Sequence, residues 1–476
     1  MQMKTSRRQF IEAGAALLAA AGSGCVTRIA ETAAEKRWYK GMLHCHSYWS
    51  DGRAFPEQMV AAYRQLGYDF MSLTDHNRLS MHRDEWREVV AESKEWPPKV
   101  TRDLLENARQ RFPWLRVRKN AQGNDEARLT PYAELLEHFN APGRFLLIPG
   151  CEITRGTGDW STGRQLHMNI IGVTEVIPSA RHSGLVQGVF SDLTPAKLLR
   201  ATREECELQA KAEGNPPTVF TLDHPQWPYY DVLPSDLIEN PEVRFFEVCN
   251  GGAQMDSLPE LERCEGHDND RFWDVVNAFR ARAGEPLLYA TAVDDAHWAA
   301  FSGVPVAESC FTGDGYIRVR SAALTAPALF AAMDRGDFYA STGLDLEDVA
   351  FDGRTLRVRV PADESAACRV KFFVTKRDFD DRVVKTVRIE KTEKTPYART
   401  VPIYSDEIGR VAKEVAGSRG KALEASYTLA SDDLYVRARI ESERPSPWVL
   451  WHKKMSPHPI HAKFATAWTQ PYVANG

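Results

Sequence analysis

Leu43-His44-Cys45-His46-Ser47-Tyr48-Trp49-Ser50-Asp51-Gly52 is the stretch around which the rest of the chain is organised. Residues 40–46 are predicted to form a short strand, and side chains two apart on a strand point to the same face. His44 and His46 therefore form a pair of imidazoles, and the following turn brings the Asp51 carboxylate back toward them. Divalent metals accept such mixed nitrogen and oxygen ligands. Taken alone, the pair fits two histidines at a solvent-facing strand end equally well, so the remaining sequence has to decide.

Length and charge limit the classes of function. The chain has 476 residues and a formal net charge of −5, which leaves room for one large domain and a smaller one. No overall basic field favours nucleic acid or an anionic membrane as a partner. We therefore expect a small molecule as the partner, and no nucleic acid.

The N-terminus is predicted to be an export signal. Thr5-Ser6-Arg7-Arg8-Gln9-Phe10-Ile11 is a twin-arginine signature, and the apolar segment 13–21 is too short to span a bilayer. Residues 1–34 are assigned to this signal, the alternative being a basic arm before a buried helix. The expected partner is the twin-arginine export machinery, and the expected location is periplasmic or membrane-anchored on the outer side, with Cys25 as the candidate lipid anchor.

From Trp38 onward the sequence predicts an α/β fold. Short β-branched or aromatic runs alternate with amphipathic stretches, which is typical of βα units and a parallel sheet or barrel. The predicted strands are 38–46, 70–76, 145–154, 167–173, 218–224, 244–249 and 287–295. One predicted helix begins at Pro56 and ends at Gly67. Two further helices are predicted at about 194–213 and 271–283.

Two further segments depart from this alternation. Residues 78–140 are too long for a simple connection, and helix-like stretches at 101–112 and 131–139 predict a helical insertion, either a cap over the site or a surface elaboration. After residue 343 only strand-like runs follow, so 347–476 is predicted to be an all-β domain behind a 38–343 barrel. Aromatic residues in this tail could line a carbohydrate-binding face or pack the domain.

Histidines and carboxylates recur at the ends of the predicted strands. Such ends converge on one mouth in a barrel, so the set is informative where a single residue would not be. The residues concerned are His76, Glu152, His167, His224, Glu247 with Asn250, Asp295 and His297.

These residues resemble the motif series of the PHP (polymerase and histidinol phosphatase) superfamily. The motifs are His44-x-His46, Ser50-Asp51-Gly52, Thr74-Asp75-His76-Asn77, Gly150-x-Glu152, His167, His224-Pro225 and Asp295-Ala296-His297. The export signal, the 336–343 stretch and the ending Ala467-Trp468-Thr469-Gln470-Pro471 resemble the CehA/McbA branch of metallohydrolases. The resemblance implies a distorted (β/α)7 PHP-type barrel that holds two or three divalent ions.

The resemblance also implies the ligands. One ion would take His44, His46, Glu152 and Asp295; a second would share Glu152 and take His167 and His224; a third would take Asp51, His76 and His297. The oxygen ligand Asp51 fits Mn or Fe about as well as Zn. Glu152, Asp295 and His297 are the predicted catalytic residues, acting around a hydroxide that bridges the metals.

Substrate contacts are predicted from four loop residues. Arg155 and Arg164 could hold an anionic group through the guanidinium fork. Asn77 and Asn250 could point into the pocket, although capping of loops by their side chains is an equal alternative.

Three functions are consistent with the sequence. The first is a phosphoesterase, the second a hydrolase of carboxylic esters, carbamates or amides on the same metal site, and the third a surface-anchored glycan-binding protein whose barrel is inert. A phosphate would require cationic neighbours and an aryl ester an apolar slot; the sequence offers candidates for both.

Overall fold

The computed structural model describes most of the chain after the N-terminal segment. The described residues are 35–79, 81–95, 97–156, 165–174, 194–214, 218–225, 232–251, 269–299, 312–390, 398–447 and 464–474. The chain divides into two units, Met1–Glu35 and Lys36–Gly476, and all described elements belong to the second. The predicted export signal with Cys25 lies outside the described residues. No helix in the described ranges is long and apolar enough to cross a membrane.

The described elements are strands with a smaller number of helices. The strands are β1 (Arg37–Met42), β2 (Phe70–Leu73), β3 (Glu85–Val90), β4 (Val100–Thr101), β5 (Val117–Lys119), β6 (Asp125–Leu129), β7 (Leu146–Gly156), β8 (Gln165–Ile171), β9 (Val219–Leu222), β10 (Phe245–Asn250), β11 (Tyr289–Val293), β12 (Tyr316–Ser321), β13 (Phe338–Ser341), β14 (Asp348–Phe351), β15 (Thr355–Val360), β16 (Cys368–Lys376), β17 (Val383–Ile389), β18 (Arg399–Tyr404), β19 (Arg410–Ala416), β20 (Leu423–Thr428), β21 (Asp433–Pro445) and β22 (Phe464–Thr469). The helices are α1 (Pro56–Gln65), α2 (Arg102–Arg111), α3 (Tyr132–Phe139), α4 (Pro195–Glu213), α5 (Pro234–Ile238), α6 (Asn269–Ala283) and α7 (Ala326–Asp334).

The central sheet is mixed, whereas the sequence predicted a parallel one. Its strand order is β11-β10-β9-β8-β7-β2-β1-β12-β13-β22-β21-β16-β19. β1, β2 and β7 pair in parallel, as do β9, β10 and β11, but β8 is antiparallel to both of its neighbours. Only residues 157–164 separate β7 from β8, too few for the crossover that a parallel pair requires. The chain therefore reverses direction here.

The predicted (β/α)7 barrel is not closed by strand pairing. Among the described residues no ladder joins β11 to β1, so the two ends of this part of the sheet are not paired as strands. They meet only beyond their last residues, in a bridge between Cys45 and Ala296. There Asp295 N–H donates to the His44 carbonyl (3.1 Å) and His46 N–H to the Ala296 carbonyl (2.8 Å). These two bonds hold the ends together at the edge that carries the histidines.

The helices beside the sheet agree with the sequence prediction. α1 has Pro at its first turn and is followed by Gly67 with φ +75°, a conformation that favours glycine. α4 is capped by the Thr194 hydroxyl, which accepts from the Lys197 N–H, and ends at Gly214 with φ +66°. α4 and α6 occupy the predicted 194–213 and 271–283 segments to within two residues.

The 78–140 insertion is not purely helical, which corrects the prediction. Its helices α2 and α3 lie where expected, but a four-stranded sheet with the order β4-β3-β6-β5 accompanies them. The segment contacts the histidine-bearing turn, because the Trp49 indole donates to the Thr130 carbonyl (3.2 Å) and Arg87 donates to the Trp49 carbonyl (3.3 Å). It therefore lies against the turn that contains Asp51.

Among its described residues, the C-terminal part after residue 343 contains strands and no helix element. β22 returns from the end of the chain to pair with β13, and β14-β15-β20 and β17-β18 form two small sheets. The boundary between a barrel and a separate β domain stays a prediction. Trp468 is fully buried and its indole donates to Asp270 (3.2 Å), so this aromatic residue packs the interior and offers no face to a glycan.

Candidate metal centre

The strand ends bring all nine predicted ligands to one edge of the sheet. His44 and His46 follow β1, His76 follows β2, Glu152 lies in β7, His167 in β8, His224 follows β9, and Asp295 and His297 follow β11, with Asp51 on the turn after His46. His167 lies near the start of its strand, but β8 runs antiparallel, so its start lies at the edge where its neighbours end. All of these side chains are buried except that of His297, which is 24% exposed.

The nine residues form four overlapping groups. Within each group the possible ligand atoms lie within 4.8 Å of one another. The groups are His46-Asp51-His76-His297, His44-His46-Asp295, His44-Glu152-His224 and His76-Glu152-His167. The first group contains the implied Asp51-His76-His297 set together with His46. The second contains the implied His44-His46-Glu152-Asp295 set without Glu152. Of the implied Glu152-His167-His224 set, His167 and His224 each share a group with Glu152 and lie on the same carboxylate oxygen, Oε1.

Glu152 lies at the centre of the cluster. Its Oε2 is 3.2 Å from His44 Nε2, 3.1 Å from His46 Nε2 and 3.1 Å from His76 Nδ1. Its Oε1 is 2.7 Å from His167 Nδ1 and 3.8 Å from His224 Nε2. A carboxylate with each oxygen facing different imidazoles is placed to bridge two cations.

Asp295 faces the same histidines from the opposite side. Its Oδ1 lies 3.0 Å from His46 Nε2 and 3.4 Å from His44 Nε2, and its Oδ2 is 3.8 Å from His224 Nε2. Its backbone has φ +51°, in the left-handed region that costs a non-glycine residue free energy and that clusters at functional sites. The hydrogen bond from its N–H to the His44 carbonyl holds this conformation.

Asp51 supplies the outermost carboxylate. Its Oδ2 is 3.2 Å from His297 Nε2 and 3.7 Å from His76 Nε2. The preceding turn is tight: a Cβ on Gly52 would lie 2.6 Å from the His46 carbonyl carbon. Glycine is therefore required for the turn to fold back far enough to bring Asp51 to the histidines.

Asp75 holds this turn from beneath. Its carboxylate accepts hydrogen bonds from the backbone N–H groups of Ser47 and Ser50 (2.8 and 3.0 Å) and from both hydroxyls (2.8 and 2.7 Å). Asp294, the acid beside Asp295, likewise accepts from the Tyr63 hydroxyl (2.8 Å) and points away from the histidines. Both acids face away from the cluster and support it.

The donor set fits divalent cations. Glu152 Oε1 and Asp295 Oδ1 are enclosed and accept no well-formed hydrogen bond from the described residues, although ring nitrogens lie close to both. His44 Nε2 and His46 Nε2 lie 3.2 Å apart and face the same two carboxylates. Buried carboxylates are normally paired or coordinate a metal. Imidazole nitrogens and carboxylate oxygens suit Zn, Mn and Fe.

The charges of the cluster are strongly coupled. Burial opposes ionisation of Glu152, but His76, His167 and His44 outweigh it and hold the pKa of that carboxyl well below its usual range. Burial also disfavours a charged His46, yet Glu152 and Asp295 raise its pKa to about 9. At His76 burial dominates and lowers the pKa to about 3. The carboxylates are thus ionised, as ligands must be.

Two further acids, Glu247 and Asp223, lie close to His44, and neither is among the nine predicted ligands. Glu247 Oε1 lies 2.7 Å from His44 Nδ1. Its Oε2 accepts from the backbone N–H of His224 and from Asn250 Nδ2, both at 2.8 Å. Asp223 joins His44 and Glu247 in a further close group, and burial together with Glu247 raises the pKa of Asp223 well above its usual value. The position of Glu247 at a strand end was the signal that could have identified its role.

The predicted substrate contacts find little support. The Arg155 side chain points to the other face of β7, where it donates to Thr202 Oγ1 (2.8 Å) and Glu205 Oε2 (2.5 Å) on α4. This corrects its predicted role, because residues an odd number apart on a strand face opposite ways, and Glu152 takes the inner face. Arg164 lies outside the described residues.

The two asparagines serve the neighbouring backbone and side chains. Asn77 Oδ1 accepts from the Thr154 N–H (3.1 Å), and Asn77 has φ +48°. Asn250 is buried and donates to Glu247. The Asn77 bond to a backbone N–H fits the predicted alternative, capping of a loop, whereas Asn250 bonds to a side chain of the cluster.

Comparison with known proteins gives matches only among solved structures. No protein-family model matches the chain, and no curated protein matches it. Three similar structures are a two-domain protein containing a predicted PHP-like metal-dependent phosphoesterase from Bacteroides vulgatus (14% identity, 85% of this chain and 90% of that one, TM-score 0.34), an amidohydrolase from Chromobacterium violaceum with bound sulfate and no metal (14%, 54% and 87%, 0.25), and histidinol phosphate phosphatase from Lactococcus lactis with zinc, L-histidinol and phosphate (13%, 55% and 87%, 0.24). At these identities and TM-scores, neither the fold nor the chemistry of this chain follows from the matches.

Proposed function

We propose that this protein is a divalent-metal-dependent hydrolase that acts on phosphate esters. The observation that carries the proposal is Glu152, a buried carboxylate whose two oxygens face five histidines belonging to different ligand groups. A structural metal site needs one closed set of ligands. Overlapping sets that share one carboxylate are typical of sites in which several ions act on one substrate.

The hydrogen bonds of two histidines select their ligand atoms. His297 Nδ1 lies 2.9 Å from the Asp295 carbonyl, which can only accept, so Nδ1 carries the proton and Nε2 presents its lone pair. His44 Nδ1 faces Glu247 in the same way, which leaves Nε2 directed at Glu152. Neutral imidazoles with one fixed nitrogen are the form that binds metals.

Bound divalent ions would lower the pKa of a water molecule and polarise the phosphoryl oxygens. Glu152 and Asp295 would fix the spacing of the ions. His297 is the most exposed of the nine side chains, so a substrate would reach the cluster on the Asp51 and His297 side. Several cations balance the two negative charges of a phosphate monoester, whereas a neutral carboxylic ester requires no such balance, and we therefore favour phosphate.

The test is Glu152→Gln in the purified mature protein. We expect bound metal and phosphate release from an aryl phosphate to fall together, by more than the roughly 10- to 100-fold that changing a hydrogen-bond partner of a ligand costs. The control is Glu205→Gln, which changes a half-exposed glutamate on α4, outside the histidine cluster, and should keep both. Bound metal is measured by elemental analysis, and turnover with added Mn or Zn.

Two results would count against the proposal. Metal content that Glu152→Gln leaves unchanged would exclude the bridging role. Metal-dependent cleavage of an aryl carboxylate or carbamate without any phosphate release would move the activity to carboxyl esters while keeping the metal site.

A further inference from the structure

A cleft of about 440 Å³ lies between the 78–140 insertion and the histidine-bearing turn. Its lining includes Tyr48, Arg53 and Trp298 on one wall and Lys94 and Asn107 on the other. The volume is in the range of sites that hold small organic molecules. None of the nine candidate ligands is among its lining residues.

The first wall of the cleft is continuous with the metal centre. Tyr48 and Arg53 each lie two residues from a candidate ligand, His46 and Asp51, and Trp298 directly follows His297. The Arg53 N–H donates to the His297 carbonyl (2.7 Å), which joins the two chain segments of this wall. The backbone therefore joins this wall of the cleft to the Asp51 and His297 side of the cluster.

Arg53 and Trp298 form a planar cationic surface in this wall. The guanidinium carbon lies 5.3 Å from the indole centroid, within the range of a cation–π contact. Arg53 Nη1 also lies 3.4 Å from the Ser93 carbonyl across the cleft. No carboxylate of the described residues forms a salt bridge with Arg53, and Trp298 is only partly buried. An indole face and a guanidinium group both favour a flat aromatic ring as their neighbour.

The other charges of the cleft come from the insertion. Lys99 is paired with Glu88 (2.9 Å), and the exposed Lys94 and the acids Glu92 and Asp103 also line the cleft. Their opposite charges give this wall no overall sign. The Arg53 and Trp298 surface is therefore the part of the cleft that would favour one kind of bound molecule over another.

We propose that this cleft binds the alcohol portion of the substrate and selects an aromatic one, so that the enzyme prefers aryl or arylmethyl phosphate esters over small alkyl phosphates. This inference rests on the proposed phosphoesterase function. Trp298 and Arg53 would stack on the ring while the phosphoryl group reaches the cluster on the His297 side. Trp298 then sets specificity, without a part in the bond-breaking step.

Binding of two non-hydrolysable probes tests the cleft apart from turnover. The probes are 1-naphthylmethylphosphonate and methylphosphonate, titrated calorimetrically into the metal-loaded protein. We expect the naphthyl compound to bind at least about tenfold more tightly. Trp298→Leu should weaken its binding about 3- to 10-fold, the usual worth of one aromatic contact, while methylphosphonate binding and metal content stay unchanged.

The chain offers a matched control. Trp86 is also partly buried in the insertion and also has an arginine, Arg118, over its ring at 4.1 Å, but it does not line the cleft. Trp86→Leu should behave as the wild type. Trp298→Phe keeps a flat ring and should retain most of the naphthyl preference, which separates stacking from a general disturbance of the fold.

The outcomes separate the two proposals. Equal binding of both phosphonates, no binding of either, or a Trp298→Leu variant indistinguishable from the wild type would overturn the cleft assignment, and phosphate release from an aryl phosphate by the same preparation would leave the phosphoesterase proposal intact. A naphthyl preference that depends on Trp298 in a protein without phosphatase activity would support the cleft and count against the phosphoesterase.

Discussion

Glu247 controls which nitrogen of His44 can bind a metal. Glu247 accepts three hydrogen bonds, from His44 Nδ1, the His224 N–H and Asn250 Nδ2. A glutamine has one accepting oxygen, which would stay with the two donors at Oε2 and turn its amide group toward His44. His44 would then be forced to carry its proton on Nε2, the atom that faces Glu152.

We therefore expect Glu247→Gln to weaken metal binding about 10- to 100-fold without unfolding the protein. Competition with a chelator of known affinity measures this change. Glu242→Gln alters a partly exposed acid nearby and should bind metal as the wild type does. If Glu247→Gln retains full affinity, Glu247 does not set the proton position on His44.

Glu57 gives the stability of the protein a pH dependence away from the metal centre. Its side chain is fully buried at the start of α1, where it accepts from the Thr130 hydroxyl. Burial raises the pKa of this carboxyl from 4.5 to about 7. Between these two values the folded protein holds a proton that the unfolded chain has released, so stability falls as pH rises through this window and is constant above pH 7.

Glu57→Gln removes this titration. Relative to the wild type, the variant should gain on the order of 3 kcal/mol of unfolding free energy between pH 4.5 and pH 8. Urea unfolding of both proteins at several pH values measures the difference. A difference that does not change with pH would mean that Glu57 is ionised in the folded protein at all these pH values.

At the scale of elements, the Ser47–Gly52 turn depends on a single acceptor. Asp75→Ala would leave four donors of Ser47 and Ser50 without their partner in a buried site. Each buried unsatisfied group costs about 1–3 kcal/mol. We expect Asp75→Ala to lose on the order of 3 kcal/mol or more of stability and to displace Asp51, which lowers the amount of bound metal.

The matched variant is Asp75→Asn, whose oxygen can keep the three bonds made by Oδ1. It should lie much closer to the wild type in thermal unfolding and in metal content. Equal behaviour of the two variants would show that the turn is held by its other contacts.

The direction of β8 decides whether His167 lies at the same edge of the sheet as the other candidate ligands. The sequence places His167 at the start of a predicted strand, which in a parallel sheet would lie at the edge opposite the other ligands. Because the β7–β8 connection is short, β8 runs antiparallel and its start joins Glu152, with His167 Nδ1 at 2.7 Å. The predicted strands 145–154 and 167–173 leave about 12 residues between them, a length that still permits a parallel crossover. The reversal therefore follows only from the longer strands of the structure.

At the scale of the molecule, a buried ion pair links helix α6 to the C-terminal strand β21. Arg437 is fully buried and contacts Asp274 (2.5 Å) and Asp270 (2.9 Å). Arg437→Met would leave the buried Asp274 without a cation, whereas Asp270 keeps its contact with Arg439 (2.9 Å); breaking a buried pair in this way typically costs about 3–5 kcal/mol. We expect a corresponding loss of unfolding free energy, measured in urea.

An exposed pair in the same part of the chain provides the control. Arg419 contacts Glu443 at 2.7 Å with both side chains largely in solvent, and Arg419→Met should cost no more than about 1 kcal/mol. Similar losses in the two variants would mean that the buried pair does not hold the C-terminal strands to α6.

The sequence alone determined the identity of the donors and much of the local structure. The two-residue spacing of His44 and His46, the helix after Pro56 and the helices within the insertion depend on residues close together in the chain, so their patterns could be interpreted directly. The set of nine candidate ligands could likewise be assembled, because each belongs to a recognisable motif.

Only the tertiary structure decided how these residues meet. It packed Arg155 against α4, gave Glu247 its hydrogen bond to His44, ran β8 antiparallel, and left β1 and β11 without a ladder among the described residues. Each of these outcomes depends on contacts between segments far apart in sequence, and on strand directions fixed by the lengths of the connections between strands. Local sequence patterns do not reveal such contacts, because they do not show which distant strand or helix packs beside a given residue.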